Sequence, residues 1–233
     1  MNILITGATK GIGKAVAVEM AKNNHSLALC ARNQKELDLL KEELLAINPK
    51  IEVLTAKTDC SIKQEVATFA DKAIAQFKII DVLVNNVGVF SPSPILQESV
   101  DMLDFHFNVN VVAPYILYKK LAPLMIKLNT GHIFNICSVA SLQTIVGAGS
   151  YCVTKAALLS LNNIMREETK PSGVKVTAIM PGSTLTSSWN GTTISSDKFV
   201  QPDDVAKSIL HIMQLSKGAN VDQLMITPQS GQI

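Results

Sequence analysis

Aromatic side chains are scarce in this 233-residue chain, 5% of the total with Trp189 as the single tryptophan, and no block of basic residues compensates. With neither stacking platforms nor a basic patch, nucleic acid is not an expected partner. Charge is low as well: 17% of residues are charged, and 21 Lys and Arg against 19 Asp and Glu leave a net +2. No apolar run reaches the ~18 residues of a membrane span, and the chain opens directly on an apolar strand rather than a basic leader, so no membrane association and no secretory signal is expected. The four cysteines, Cys30, Cys60, Cys137 and Cys152, form no C-x-x-C pair and each lies in or beside an apolar segment. That pattern suits reduced core thiols in a cytoplasmic protein, and no metal centre is expected. His132 lies at the far end of its strand from Ser138, and His25, His106 and His211 lack any serine-nucleophile context, which disfavours a serine hydrolase.

What is present is a steady alternation. Short, β-branched apolar runs fall at 2–6, 26–31, 51–56, 81–85, 131–137, 174–180 and 223–226. Segments of helical period lie between them at 11–23, 34–47, 63–77, 100–128, 150–170 and 202–215. Strands without polar alternation are buried on both faces, as in a parallel sheet. Right-handed crossovers then give an α/β fold, a Rossmann-like doubly wound parallel sheet of about seven strands with helices on both faces, and place ligands at the carboxyl ends of the strands. One domain over 1–233 is expected, with no linker or repeat. Asn33 with Glu36, and Ser61 with Gln64, have the spacing of helix N-cap pairs, and Pro202 suits a first helical turn. Pro114 and Pro123 predict a kink in the fourth helix, and its apolar length suits a partner subunit.

The turn Thr6-Gly7-Ala8-Thr9-Lys10-Gly11-Ile12-Gly13 joins the first strand to the first helix. Its glycines allow either tight packing alone or the close approach of a pyrophosphate to the helix N-terminus, and its position favours the dinucleotide. The second strand ends Ala31-Arg32-Asn33, with alanine where NAD sites usually carry an acid for the ribose 2′-hydroxyl. Arg32 and Lys10 are either two surface cations or the pair that meets a 2′-phosphate, which predicts NADP(H). Asp59-Cys60-Ser61 offers an aspartate for the adenine amino group or for a turn. Asn85-Asn86-Val87-Gly88 suits backbone bracing and ribose contact, and a polar run after Pro181-Gly182, including Thr184 and Thr186, suits a nicotinamide carboxamide. Residues 187–199 then form a short polar loop, a lid over a substrate. Asn108 and Asn110 interrupt an apolar helix, which requires hydrogen-bonded burial.

Tyr151 and Lys155 share a helix face. A free phenol has a pKa of ~10, ~3 units too high for easy proton transfer at neutral pH, a deficit of roughly 4 kcal/mol. A lysine ammonium ~4 Å away supplies about that much at an effective dielectric of about 20. The pair is chemically sufficient as a proton donor.

These residues together resemble the short-chain dehydrogenase/reductase family. TGATKGIG is similar to its TGxxxGxG cofactor turn and NNVG to its NNAG segment, with Val87 in place of alanine. Asn110, Ser138, Tyr151 and Lys155 match its catalytic tetrad in order, and Pro181-Gly182 matches its PG turn. The resemblance implies an NADP(H)-dependent reduction of a small-molecule carbonyl substrate. Tyr151 would protonate the carbonyl oxygen, Ser138 would orient it, Lys155 would strengthen the Tyr151 acid and bind the nicotinamide ribose, and Asn110 would hold a water in a proton relay. It also implies a homodimer or homotetramer. The stretches GHIFNICSVA, SYCVTK and SSWNGT, with residues 226–233, are most similar to bacterial sepiapterin-reductase-like members, which implies a pterin side chain or vicinal dicarbonyl as substrate. Reduction of 3-oxoacyl thioesters is the competing implication, and a non-catalytic dinucleotide sensor is the alternative from another class.

Overall fold

Seven parallel strands form one sheet in the order β3-β2-β1-β4-β5-β6-β7 in the computed structural model, which describes all 233 residues. The strands are β1 (Asn2–Thr6), β2 (Ser26–Ala31), β3 (Val53–Lys57), β4 (Val82–Asn85), β5 (His132–Ile136), β6 (Lys175–Pro181) and β7 (Gln223–Ile226). Helices α1 (Gly11–Lys22), α2 (Gln34–Ile47), α3 (Lys63–Phe77), α4 (Val100–Phe107), α5 (Ala113–Leu128), α6 (Gly149–Thr169) and α7 (Pro202–Met213) make the crossovers. The order reverses between β1 and β4, so their carboxyl ends open a crevice at the topological switch point.

The pleat explains why these strands carry no polar alternation. Ile3 and Ile5 of β1 point into one apolar layer with residues of α1, α2 and α7, whereas Leu4, between them, joins the opposite layer with residues of α3, α5 and α6. Both faces of the central strands are therefore dry, and their positions must be apolar or satisfied. No helix is long and apolar enough to cross a membrane.

Several sequence expectations are corrected. The third strand runs Val53–Lys57, two residues later than the apolar run begins, because its pairing with β2 sets the register from Leu27 opposite Val53. Ser61 does not cap α3: Ile62 holds that position, and the Ser61 hydroxyl donates instead to Asp59 at 2.7 Å. Asn33 does cap α2, accepting from the Lys35 and Glu36 N–H groups at 3.0 and 3.4 Å. The fourth helix is interrupted by a π turn at Asn108–Val112, where the Ala113 N–H reaches back to the Asn108 carbonyl. Pro114 lies just beyond that turn, and as it lacks an N–H it has nothing to donate to the Asn110 carbonyl four residues earlier. Pro123, by contrast, sits inside α5 without ending it.

Candidate active site

At the β1 end, Gly7 and Gly11 adopt left-handed backbone, φ +64° and +52°, which side chains rarely tolerate. A Cβ on Gly13 would run into the Gly7 carbonyl, so the turn can close only with glycine there. Helix α1 has Lys10 at its N-cap position, with no side-chain cap and no acid in its first turn. Its first N–H groups are thus available to an anion, with no acid of the same turn to repel one. Thr9 and Ile12 complete this uncapped loop and first turn.

The turn is stitched to β4. Thr6, buried, accepts through its hydroxyl from the Asn86 and Val87 N–H groups, both at 3.0 Å, and the Asn86 amide donates to the Thr6 and Gly7 carbonyls at 2.8 and 3.0 Å. Asn86 therefore acts first as a brace. At the end of β2, Arg32 and Asn33 are exposed, and position 31 itself, an alanine, carries no carboxylate. Lys10 pairs with Glu36 at 2.9 Å, and this partner holds the Glu36 carboxyl below its ordinary range. Asp59 is also held low: partial burial opposes ionisation, but hydrogen bonds from the Ser61 N–H and hydroxyl, with the Arg32 charge, prevail. The Cys60 side chain faces the core, in contact with Cys30, whose thiol is pushed up by burial. Position 60 thus faces the cofactor end with its backbone, its side chain lying in the core.

At the carboxyl ends of β4 and β5 the chemistry converges. Lys155 is 3% exposed, and its ammonium donates to the Ile136 carbonyl, the last residue of β5, at 2.7 Å. A Cβ on Gly88 would stand 3.3 Å from Lys155 Nζ and 3.6 Å from Asn110 Oδ1, so glycine leaves room for both. The Tyr151 ring lies on the same side of α6, with its centroid 5.7 Å from that ammonium, and Phe90 packs against it edge-on at 4.9 Å. Ser138 follows two residues after Ile136; it is 7% exposed and caps a short turn by accepting from the Ala140 N–H at 3.1 Å. Beside it, burial pushes the Cys137 thiol up to about 11 despite the Lys155 charge, so it is inert as a nucleophile.

Asn110, fully buried on the π turn, uses its amide within the protein. Its Oδ1 accepts from the Val89 N–H at 2.9 Å, and its Nδ2 donates to the Val89 carbonyl at 3.3 Å and to Thr154 Oγ1 at 3.0 Å. It ties the loop after β4 to α6. Behind it runs a buried amide chain that the sequence reading missed, in which Asn85 donates to Asn135 at 2.8 Å and Asn135 to Asn162 at 2.9 Å. The cost of a buried amide, already applied to Asn110, applies equally to Asn135 within the apolar run HIFNI.

After β6, the Gln232 amide fills the space over Gly182, and Thr184 donates to the Gly182 carbonyl at 2.9 Å. A Cβ on Gly11 would meet Thr186 Cγ2 at 3.0 Å, which brings the polar run after Pro181-Gly182 onto the glycine turn. Between them lies a cleft of about 520 Å³, lined by Gly11, Lys14, Thr186, Ser187, Trp189 and Asp203 among others. The 187–199 loop is made of two single turns, and Trp189 packs edge-on against buried Phe199 at 4.9 Å. The structure thus gathers Asn110, Lys155, Tyr151 and Gly88 at one corner, with Ser138 at the adjoining strand end, and the glycine turn with Thr186 at the next.

A family model described as short chain dehydrogenase matches residues 1–195. An uncharacterised oxidoreductase of Staphylococcus aureus is 28% identical over 228 residues, covering 97% of this chain and 96% of the relative. One from Staphylococcus epidermidis is 28% identical over 225 residues, with the same coverage of 97% and 96%. Among solved structures, a metagenomic short-chain oxidoreductase in complex with NADP superposes with a TM-score of 0.86 at 27% identity, covering 98% of this chain and 97% of that one. An alcohol dehydrogenase from Thermococcus sibiricus, complexed with 5-hydroxy-NADP, gives 0.90 at 25% identity, with 100% and 98% covered.

Proposed function

The chain belongs to the short-chain dehydrogenase family, and from that premise we propose that this oxidoreductase uses NADPH to reduce a ketone or vicinal dicarbonyl, pterin side chains included, to an alcohol. The observation that carries the proposal is the Lys155 ammonium, buried against the Ile136 carbonyl one helical turn from Tyr151. A buried cation is costly unless hydrogen bonds or opposite charge compensate it, and the Ile136 carbonyl alone leaves its charge uncompensated. The proposed role of Lys155 is to offset the negative charge that develops on the Tyr151 oxygen as the proton leaves.

The residues fit the dinucleotide. The uncapped start of α1 and the Gly7, Gly11 and Gly13 cradle suit the pyrophosphate, and Arg32 without an acid at Ala31 suits a 2′-phosphate. Thr9, Lys10, Ile12, Asn33 and Asp59 flank that end, with Val87, Gly88, Pro181, Gly182, Thr184 and Thr186 toward the nicotinamide. Bound NADPH supplies the hydride.

Tyr151 gives its hydroxyl proton to the carbonyl oxygen as the C=O bond becomes C–O–H, and the resulting phenolate is stabilised by Lys155. Ser138 donates to the same oxygen and fixes its direction. Asn110 orders the corner through Val89 and Thr154, and its main-chain carbonyl, opposite the N–H-less Pro114, is the candidate anchor for a relay water. Exposed Tyr115 and Leu128 of α5 and Val153 and Ile164 of α6 favour assembly as a homodimer or homotetramer, which light scattering would determine.

The test is Tyr151→Phe, which keeps the ring and its packing on Phe90 but removes the proton. NADPH oxidation against a panel of diketones, pterins and 3-oxoacyl thioesters should fall by ~10²- to 10⁴-fold, with NADPH binding by fluorescence retained. Turnover at the wild-type rate would overturn the proposal.

A further inference from the structure

The segment following β4 is fastened at three points to the first turn of α6, the turn that carries Tyr151. The Gly149 N–H meets the Ser93 carbonyl at 3.4 Å, within a parallel bridge between Ser93 and Ala148. The Ile95 side chain occupies the space that a Cβ on Gly149 would need. Glu98 closes the set. Its carboxylate accepts from the Ser150 N–H at 3.4 Å and, through its other oxygen, from the Ser150 hydroxyl.

Helix α6 needs this help. Its own N-cap position is Ala148, which contributes no side-chain hydrogen bond, and its first turn holds no acid. The leading N–H groups of a helix lack internal partners and carry partial positive charge, so an unaided first turn frays. A carboxylate delivered from 52 residues upstream supplies both the missing acceptor and the complementary charge. Ser150, only 4% exposed, places that contact one residue before Tyr151, and Phe90 of the same upstream segment packs on the Tyr151 ring. Two elements distant in sequence therefore hold the phenol from the backbone side and from the ring side.

We propose that Glu98 is a positioning residue for the reaction. By clasping the first turn of α6 through Ser150, with Ile95 seated on Gly149, it fixes the Tyr151 ring relative to Lys155 and the carbonyl substrate. The inference rests on the carbonyl-reductase reading above. Misplacement of a reacting group by ~1 Å costs as much as ~10²-fold in rate, so a turn that merely loosens is enough to matter.

The test compares Glu98→Ala, Glu98→Gln and the surface control Asp71→Asn, with a vicinal diketone and a 3-oxoacyl thioester as probes. Glu98→Ala should lower kcat about tenfold while the KM for NADPH stays within about twofold. Glu98→Gln, which retains an acceptor for Ser150 but no charge, should lose only about threefold. Amide hydrogen exchange at 149–153 should quicken about tenfold in Glu98→Ala and remain unchanged in α3. A kcat within about twofold of wild type, unchanged exchange at 149–153, or equal loss of protection across the whole sheet would overturn the proposal. Should Glu98→Ala not fold, Ser150→Ala removes the hydroxyl half of the clasp, with about threefold loss of kcat expected and none overturning it. A wild-type chain that turns over neither probe counts against the reductase reading alone, and the exchange measurement then decides the clasp by itself.

Discussion

The two ends of the crevice are built on opposite plans. At the β4–β5–α6 corner the polar groups are buried and committed: Lys155 is bonded to Ile136, Asn110 to Val89 and Thr154, and Asn135 to Asn85 and Asn162. At the β1–β2 end the side chains Lys10, Arg32 and Asn33 stand exposed, and Lys10 is engaged with a partly exposed neighbour, Glu36. The difference suits the work proposed for each end. Proton transfer depends on distances held to fractions of an ångström, which buried, hydrogen-bonded side chains help to provide. Gripping a phosphate needs charge within reach, and mobile cations in water supply that. Mutations should accordingly cost most at the buried corner and least at the exposed end.

The largest expected effect is Lys155→Met. Methionine matches the lysine stem in length and sits well among apolar neighbours, but it provides no charge beside the phenol. The expectation is a fall in kcat of ~10³-fold with the fold intact by circular dichroism. If the loss were less than about tenfold, the buried corner would be structural, and the contrast between the two ends would fail.

Next comes the pair Lys10→Ala with Arg32→Ala. Charge-assisted contacts to a phosphate each contribute roughly 1.5–3 kcal/mol where formed, and exposure reduces this, so NADPH affinity should fall about 30-fold. NADH affinity should change by less than about twofold. Equal losses for the two dinucleotides, measured by titration of the intrinsic fluorescence, would place these cations outside 2′-phosphate recognition.

What was legible in the sequence divides along the same line. The glycine turn shows because its backbone geometry admits few alternatives: Gly7 and Gly11 need positive φ, and Gly13 has no space for a Cβ. Tyr151 and Lys155 show because helical period alone puts them on one face. The strands show because both faces of the central sheet are dry, so each is a short, mostly apolar run without polar alternation. Contacts between distant segments leave no such trace. Glu98 meets Ser150 across 52 residues, Asn85 meets Asn135 across 50, and the Gln232 amide covers Gly182 from the other end of the chain. Ser61 has cap spacing, yet Asp59, two residues away, captures its hydroxyl, a competition that no spacing rule ranks. The π turn is likewise a tertiary outcome: it lets Asn110 reach both Val89 and Thr154, and only Pro114 hints at it.

The smallest effect sharpens the comparison most, because it has the opposite sign. Glu36 belongs to the exposed end, where its carboxylate holds the Lys10 ammonium at 2.9 Å with both side chains partly in solvent, 64% and 33% exposed. An ion pair of that kind is weak and salt-screened. Yet it places a negative charge next to a cation expected to meet the 2′-phosphate, so it competes for Lys10 and repels the ligand. Glu36→Gln should therefore tighten NADPH binding about threefold at low ionic strength, an advantage that shrinks as salt approaches ~1 M. NADH, lacking the phosphate, should be indifferent. A carboxylate at the buried corner behaves in the reverse sense, since removing Glu98 is expected to cost rate. Weaker NADPH binding in Glu36→Gln would mean that Glu36 holds Lys10 in place for the phosphate, and the exposed end would then be as preorganised as the catalytic one.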